Sequence, residues 1–99
     1  MTFRHTLMLR FTDDATEAQK SALYEGLARM PKVMEFIRRY EFGPDLGLRE
    51  GNPDLGLVAD FDSEADWRKY SDNPDHLELI RDTIRPITAA AYRVQYEVG

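Results

Sequence analysis

Three polar side chains of this sequence, His5, Tyr70 and His76, occur in segments whose other residues suit an apolar core. An imidazole accepts a proton near neutral pH, and a phenol donates a hydrogen bond to a carbonyl or enolate oxygen. His76 and Tyr70 are therefore candidates for a general base and an oxyanion donor, with His5 as a group that orients or assists them. Because an unpartnered polar group in such surroundings costs roughly 1–3 kcal/mol, these residues indicate a pocket.

The position of His76 favours a neutral imidazole. Asn73 is a helix cap candidate and Pro74 suits the first helical position, so His76 falls in the first turn of a predicted helix. The positive end of the helix dipole disfavours an imidazolium there. Tyr70 lies six residues earlier, across a short link, so the two side chains are expected to lie close together.

Each of the three residues also has a purely structural interpretation. His76 can bond backbone groups at a helix start or lie half exposed, Tyr70 can be a core residue with its hydroxyl at the surface, and His5 can be a satisfied core histidine. The two histidines have no HExxH-type spacing, and helical register fixes no carboxylate beside them. We therefore expect no metal site.

Composition excludes several classes of function. The 99 residues, 42% of them hydrophobic, make one domain spanning residues 1–99. The formal net charge of -5 disfavours nucleic acid and anionic membranes as partners. The sequence lacks cysteine, a long apolar run and a signal-peptide pattern, which predicts a cytoplasmic protein. No phosphate-binding glycine loop and no Gly-x-Ser-x-Gly motif occurs, so no cofactor and no serine hydrolase activity is expected.

The first half of the chain predicts a strand, a helix and a second strand. Alternation from Phe3 to Phe11 is typical of a half-buried strand, with His5 on the same face as the leucines. Cap residues at 12–16 precede apolar residues three and four apart, which predicts a helix that ends at Pro31. Met34 to Phe42 alternates and predicts a strand, although its first four residues also suit a helical turn.

The second half of the chain predicts a strand, two helical pieces and a final strand. Alternation across residues 55–61 predicts the third strand, and Ser63 is a cap candidate for a short helix carrying Tyr70. The next helix has an apolar stripe of Leu77, Ile80 and Ile84 and ends at Pro86. Residues 92–98 alternate again and predict the last strand.

The resulting order, β-α-β-β-α-β, predicts an α+β fold of the ferredoxin-like kind. In this arrangement four antiparallel strands form one sheet and the helices cover one face. Several strands carry apolar residues on both faces, such as Met8 next to Leu7 and Val58 next to Leu57. A solvent-facing sheet does not favour this pattern, so we expect a homodimer that pairs sheet against sheet.

A pocket between the sheet and the helices is expected to take an apolar small molecule. Its shape depends on the packing of five apolar side chains, which we predict to contact the ligand: Leu9, Leu23, Leu27, Trp67 and Ile80. A change of one methylene in such a wall alters preference by only about 1–3 kcal/mol, so the sequence does not identify the ligand.

Ordered motifs along nearly the whole chain resemble those of the stress-responsive A/B barrel (Dabb) family. The motifs are Phe3 to Phe11, the helix exit at Leu27 to Pro31, Phe42-Gly43-Pro44-Asp45-Leu46, Leu57-Val58-Ala59-Asp60-Phe61, and Tyr70 to His76 with Asn73-Pro74 between them. The last motif is the most specific. The resemblance implies a ferredoxin-like homodimer whose sheets meet in a barrel.

The resemblance also implies a reaction. A plant polyketide cyclase of this family, which makes an aromatic acid by intramolecular aldol condensation, has residues that match His76, Tyr70 and His5. The match implies a base that removes a carbon-bound proton, a phenol that stabilises the enolate, and a cavity that folds a β-keto chain.

Two functional hypotheses follow. The first is a homodimeric domain that binds an apolar small molecule, with Tyr70 and His76 as ligand contacts or structural groups. The second is a cofactor-independent acid/base enzyme acting on a β-keto substrate, with His76 as base and Tyr70 as oxyanion donor. A monooxygenase of the dimeric α+β barrel type, acting on a quinone-like substrate, is a more distant alternative.

Overall fold

The computed structural model describes all 99 residues and contains one four-stranded sheet with helices packed against it. The elements are β1 (Thr2–Phe11), α1 (Glu17–Val33), β2 (Arg39–Pro44), β3 (Leu55–Phe61), α2 (Glu64–Asp72), α3 (Pro74–Leu79) and β4 (Thr88–Val98), with a π-helical turn (Ile80–Ile84) and a 3-10 turn (Arg85–Ile87) before β4. The strand order is β2-β3-β1-β4 and every pairing is antiparallel. This is the predicted ferredoxin-like α+β fold.

The register of the central strand places His5 in the middle of the sheet. His5 lies opposite Ala59 of β3 on one side and opposite Gln95 of β4 on the other. Directly opposed residues project to the same face of a sheet. His5 is buried with Leu9 on the face that the helices cover, as the alternation in β1 predicted.

The core lies between this face of the sheet and α1. Helix α1 contributes Leu23, Leu27 and Met30, each at most 1% exposed. Their spacing of three and four residues puts them on one side of the helix. They pack with apolar residues of β1 and β3 into a single cluster of 14 buried residues.

Helix α1 begins as predicted but ends later. Thr16 accepts a hydrogen bond from the backbone of Gln19, whose side chain bonds back to Thr16 in a capping box. The prediction that Pro31 ends the helix was wrong, since α1 continues to Val33. Met30 and Met34 on either side of the proline are each 1% exposed, so burial of this last turn outweighs the local preference of Pro31.

The second strand begins later in the chain than predicted. Residues Met34 and Ile37 form a turn closed by a 3.2 Å backbone hydrogen bond, and both side chains are buried. Their spacing of three residues therefore reflects a turn, and β2 begins at Arg39. The strand includes Pro44, which its position at the edge of the sheet permits.

The last helical segment departs from its predicted apolar stripe at Leu77, whereas Ile80 and Ile84 are half-buried as predicted. Leu77 is 50% exposed, whereas Leu79 is buried. Both leucines belong to α3, and the π-helical turn begins only after them, at Ile80. Leu79 packs closely on α1 at Gly26, where an added Cβ would clash with Cδ1 of Leu79. The glycine thus permits the contact between α1 and α3.

The second face of the sheet is open and partly apolar, beside an ion pair between Arg4 and Asp60. Met8 of β1 and Tyr92 of β4 lie directly opposite each other, and each is 48% exposed. Val94 and Tyr96 extend this surface along β4. The structure therefore has the two-faced apolar pattern that the sequence indicated.

Candidate functional site

A cavity of about 380 Å³ lies between the helix-covered face of the sheet and the segment from α2 to β4. This is within the volume range of small-molecule sites, roughly 300–1,000 Å³. Its apolar walls come from strand β1, helix α1 and the helical segments after β3: Leu7, Leu9, Leu27, Trp67, Ile80 and Ile84. The polar side chains of His5, Tyr70 and His76 line the same space.

Four of the five predicted ligand contacts line this cavity and one does not. Leu9, Leu27, Trp67 and Ile80 contribute to its walls. Leu23 does not line the cavity. Its side chain is 0% exposed and enclosed by the packed core, so it has no surface toward the cavity.

The aromatic rings of Tyr70 and His76 lie against each other, with centroids 4.1 Å apart. Tyr70 lies in the last turn of α2 and His76 in the first turn of α3. Asn73 lies between the two helices, and its side chain accepts a hydrogen bond from the backbone of Asp75. Burial raises the pKa of Tyr70 to about 12, although a hydrogen bond from Tyr40 opposes the shift. Tyr70 is therefore a neutral hydrogen-bond donor at physiological pH.

A backbone contact determines which nitrogen of His76 carries the proton. Nδ1 of His76 lies 3.1 Å from the carbonyl oxygen of Ser71. Because a carbonyl only accepts hydrogen bonds, Nδ1 is the donor and the neutral ring has an unprotonated Nε2. Burial lowers the pKa of His76, and the bond to Ser71 partly opposes this. Burial is thus the main cause of the neutral ring that we predicted from the helix dipole.

His5 is fixed by a hydrogen bond across the sheet. The side-chain amide of Gln95 donates to Nδ1 of His5 over 2.8 Å, so the neutral ring carries its proton on Nε2. Burial lowers the pKa of His5 to about 4, with smaller contributions from His76 and Arg93. Its ring centroid lies 6.0 Å from Trp67 and 6.3 Å from Tyr70, so the three predicted residues are neighbours.

The hydroxyl of Tyr70 has a partner that the sequence analysis missed. The hydroxyl of Tyr40 on β2 lies 2.9 Å from it. When the hydroxyl of Tyr40 donates to the oxygen of Tyr70, the hydroxyl proton of Tyr70 is free to bond an acceptor in the cavity. Each of the two hydroxyl protons then has a partner. The alternation in β2 gave the only sequence signal for Tyr40, and it does not indicate which residue of α2 the ring meets.

Three further polar features were missed. Gln95 orients His5, and Arg85 and Arg93 line the cavity. The indole Nε1 of Trp67 is buried without a hydrogen-bond partner. No group of three or more histidine, cysteine or acidic side chains has the geometry to hold a metal ion, and none of the helices is long and apolar enough to span a membrane.

Solved structures of other proteins have the same fold as this chain. A dimeric ferredoxin-like protein of unknown function from Thermobifida fusca is 36% identical, with a TM-score of 0.90 over 99% of this chain and 92% of that chain. A Dabb family protein from Mesorhizobium loti has a TM-score of 0.80 at 17% identity, covering 99% and 98% of the two chains. The hydroxynitrile lyase of Passiflora edulis has a TM-score of 0.87 at 18% identity, covering 99% and 94%.

The sequence itself gives a family assignment. No functionally curated protein matches the chain. The family model described as Stress responsive A/B Barrel Domain matches residues 3–98. The chain therefore belongs to the stress responsive A/B barrel (Dabb) family.

Proposed function

We propose that this domain binds an apolar small molecule in the cavity between its sheet and its helices. The observation that carries the proposal is the convergence of His5, Tyr70 and His76 on a cavity whose other walls are mainly apolar. Concave apolar sites with a few placed polar groups are the usual form of small-molecule sites. An apolar ligand body contacts Leu9, Leu27 and Ile80, while a carbonyl or hydroxyl group bonds the polar side.

Hydrogen bonds within the protein hold the polar side chains of the cavity in place before a ligand binds. The free hydrogen-bonding positions include Nε2 of His76, the Nε2–H of His5 and, when Tyr40 donates, the hydroxyl proton of Tyr70. A buried donor and acceptor fixed in this way lose little rotational freedom on binding. Together they match a ligand that presents both a carbonyl oxygen and an acidic proton.

Ligand binding can be tested by NMR with a panel of β-keto and aromatic carbonyl compounds. We expect binding to shift the ring signals of His5 and His76 together. Ala91 lines the cavity, so Ala91→Phe fills it and should abolish the shifts. Circular dichroism and thermal unfolding of Ala91→Phe check that the fold persists. Shifts that survive in a folded Ala91→Phe variant would place the ligand elsewhere and reject the proposal.

We also infer that two copies pair through their open sheet faces. Structurally similar proteins from Thermobifida fusca and Bacteroides fragilis are dimeric. The surface of Met8, Tyr92, Val94 and Tyr96 is apolar and exposed in the single chain. Covering it with a second copy removes this surface from water, which is the usual outcome for a large exposed apolar patch.

Acid/base catalysis at the same site is the second candidate, and the tautomer of His76 favours it. With the proton of Nδ1 bonded to Ser71, the unprotonated Nε2 accepts a proton from a carbon next to a substrate carbonyl. The electron pair of the broken C–H bond moves into the carbonyl group and forms an enolate. Tyr70 donates a hydrogen bond to the enolate oxygen. The fold is also that of an enzyme, the hydroxynitrile lyase of Passiflora edulis.

Deuterium exchange distinguishes catalysis from binding alone. A β-keto ester in D₂O should exchange the proton on the carbon between its carbonyl groups faster with the protein than with buffer. His76→Gln should reduce the enzymatic rate by about 10²–10⁴-fold, and Tyr70→Phe by about 10²–10³-fold. If β-keto compounds shift the histidine NMR signals but the protein does not accelerate deuterium exchange, the protein binds the ligand without catalysing proton abstraction.

A further inference from the structure

The charge of the cavity is opposite to that of the chain. The whole sequence has a formal net charge of -5, with 18 acidic and 13 basic residues. The residues that line the cavity include Arg85 and Arg93 but no aspartate and no glutamate. Since the histidines of the site have lowered pKa values, the arginines supply its charge at neutral pH. The cavity is therefore cationic in an acidic protein.

These two arginines also differ from most other cations of the chain. Eight of the 13 Lys and Arg side chains form ion pairs with carboxylates. Arg10 bonds the backbone carbonyls of Gly51 and Asn52. Only Lys32, Arg49, Arg85 and Arg93 remain without such a partner, and two of these four line the same cavity.

The arginines lie where the cavity meets solvent. Among its lining residues only Arg85 and Arg93 are exposed, whereas all the others are buried or half-buried. Arg93 lies opposite Leu7 in the pairing of β4 with β1, on the helix-covered face of the sheet. Its charge contributes to the lowered pKa of His5, which is consistent with a position beside the polar wall.

We infer that the ligand of this cavity carries an oxyanion, a carboxylate or a phosphate monoester, which Arg85 and Arg93 bind at the opening while its apolar part enters. The inference rests on the proposed ligand-binding function and narrows its ligand class. Guanidinium groups bind carboxylate and phosphate oxygens through paired, charge-assisted hydrogen bonds. An apolar body and an anionic head match the two ends of the cavity, with Leu27 and Ile80 in its walls and the arginines at its rim.

Three probes with the same eight-carbon chain test the head group: octanoate, octyl phosphate and the uncharged octanamide. Trp67 is the only tryptophan and lines the cavity, so its fluorescence reports binding. Titrations are made below the micelle concentrations, with calorimetry as a second readout. We expect at least one anion to bind about tenfold more tightly than octanamide. A preference for octanoate assigns a carboxylate ligand, and a preference for octyl phosphate assigns a phosphate ligand.

Variants that remove the charges of Arg85 and Arg93 test whether these residues bind the anionic group. The double variant Arg85→Gln with Arg93→Gln should lose about tenfold in affinity for the preferred anion and little in affinity for octanamide. Arg49→Gln removes an equally unpaired arginine of the β2–β3 loop, away from the cavity, and should change neither affinity. Added salt should weaken the anion preference of the wild type.

The outcomes separate this inference from the proposed function. Equal binding of all three probes overturns the oxyanion inference but leaves an apolar ligand site in place. An anion preference that Arg49→Gln reduces as much as the double variant also overturns it, since net charge then explains the effect. No binding of any probe by fluorescence or calorimetry overturns the inference. If β-keto compounds also leave the histidine signals of the wild type unchanged, the ligand site itself is rejected.

Discussion

The hydroxyl of Tyr40 lies 2.9 Å from the hydroxyl of Tyr70, which joins the edge strand β2 to the end of α2 across the core. Burial raises the pKa of both phenols, and Tyr40 is the more strongly shifted. Both groups are therefore neutral over the physiological range. When Tyr40 donates this hydrogen bond, the proton of the Tyr70 hydroxyl is left for an acceptor in the cavity.

Removing this contact should lower stability by a measurable amount. Tyr40→Phe leaves a buried hydroxyl on Tyr70 without its partner, so we expect a loss of about 1–2 kcal/mol in the free energy of unfolding. Urea unfolding of Tyr40→Phe, Tyr70→Phe and the double variant forms a complete cycle. A coupling energy near zero would show that the two hydroxyls do not interact in solution.

The pKa of His5 predicts a loss of stability in mild acid. The folded protein disfavours the imidazolium, with a pKa of about 4 against an ordinary 6.5. Between these values the unfolded chain binds a proton that the folded chain does not. The contribution of His5 is thus complete above about pH 6.5 and is lost as the pH falls toward 4, by roughly 3 kcal/mol.

Unfolding free energies measured across this pH range test the linkage. His5→Gln removes the titrating group, so its stability should vary less between pH 6.5 and 4 than that of the wild type. An identical pH dependence in both proteins would contradict the assignment to His5.

The tautomer of His76 is open to direct observation. Long-range ¹H–¹⁵N NMR spectra should give Nδ1 of His76 the shift of a protonated nitrogen and Nε2 that of an unprotonated one, because Nδ1 bonds Ser71. The pKa of His76 should lie below 6.5. The same histidine in urea-unfolded protein should titrate near the ordinary value. A protonated Nε2 at neutral pH would remove the proposed base.

A single charge on the open sheet face should disrupt self-association. Val94 is 55% exposed in the single chain and faces away from the helices. Val94→Glu buries an unpaired carboxylate in the proposed interface, so we expect at least about a hundredfold weaker dimerisation by light scattering and ultracentrifugation. Leu77→Glu is the matched control, because Leu77 is 50% exposed but lies on α3. Equal effects of both substitutions would argue against pairing through the sheet.

The sequence predicted most of the elements because their patterns are local. Alternation in β1 placed His5 on the helix-covered face, and Asn73 with Pro74 marked the start of α3. The errors occur where tertiary burial outweighs local preference. Pro31 stays within a helix because Met30 and Met34 are buried beside it, and Leu79 rather than Leu77 is buried because Leu79 packs on α1 at Gly26.

The candidate site was predictable only in part for the same reason. His76 and Tyr70 are six residues apart, so a single turn brings them together. Tyr40 and Gln95 reach their partners over separations of 30 and 90 residues. No short-range pattern encodes such contacts, which depend on strand order and register.

The irregular segment between α3 and β4 has a consequence for how this domain can diversify. Ile80, Ile84 and Arg85 belong to the π-helical and 3-10 turns and form one wall of the cavity, whereas His5, Leu7 and Leu9 belong to the central strand and form the facing wall. Side-chain exchange in the short turns can resize the cavity without moving the strand that holds His5. The architecture thus separates the shape of the cavity from the integrity of the sheet.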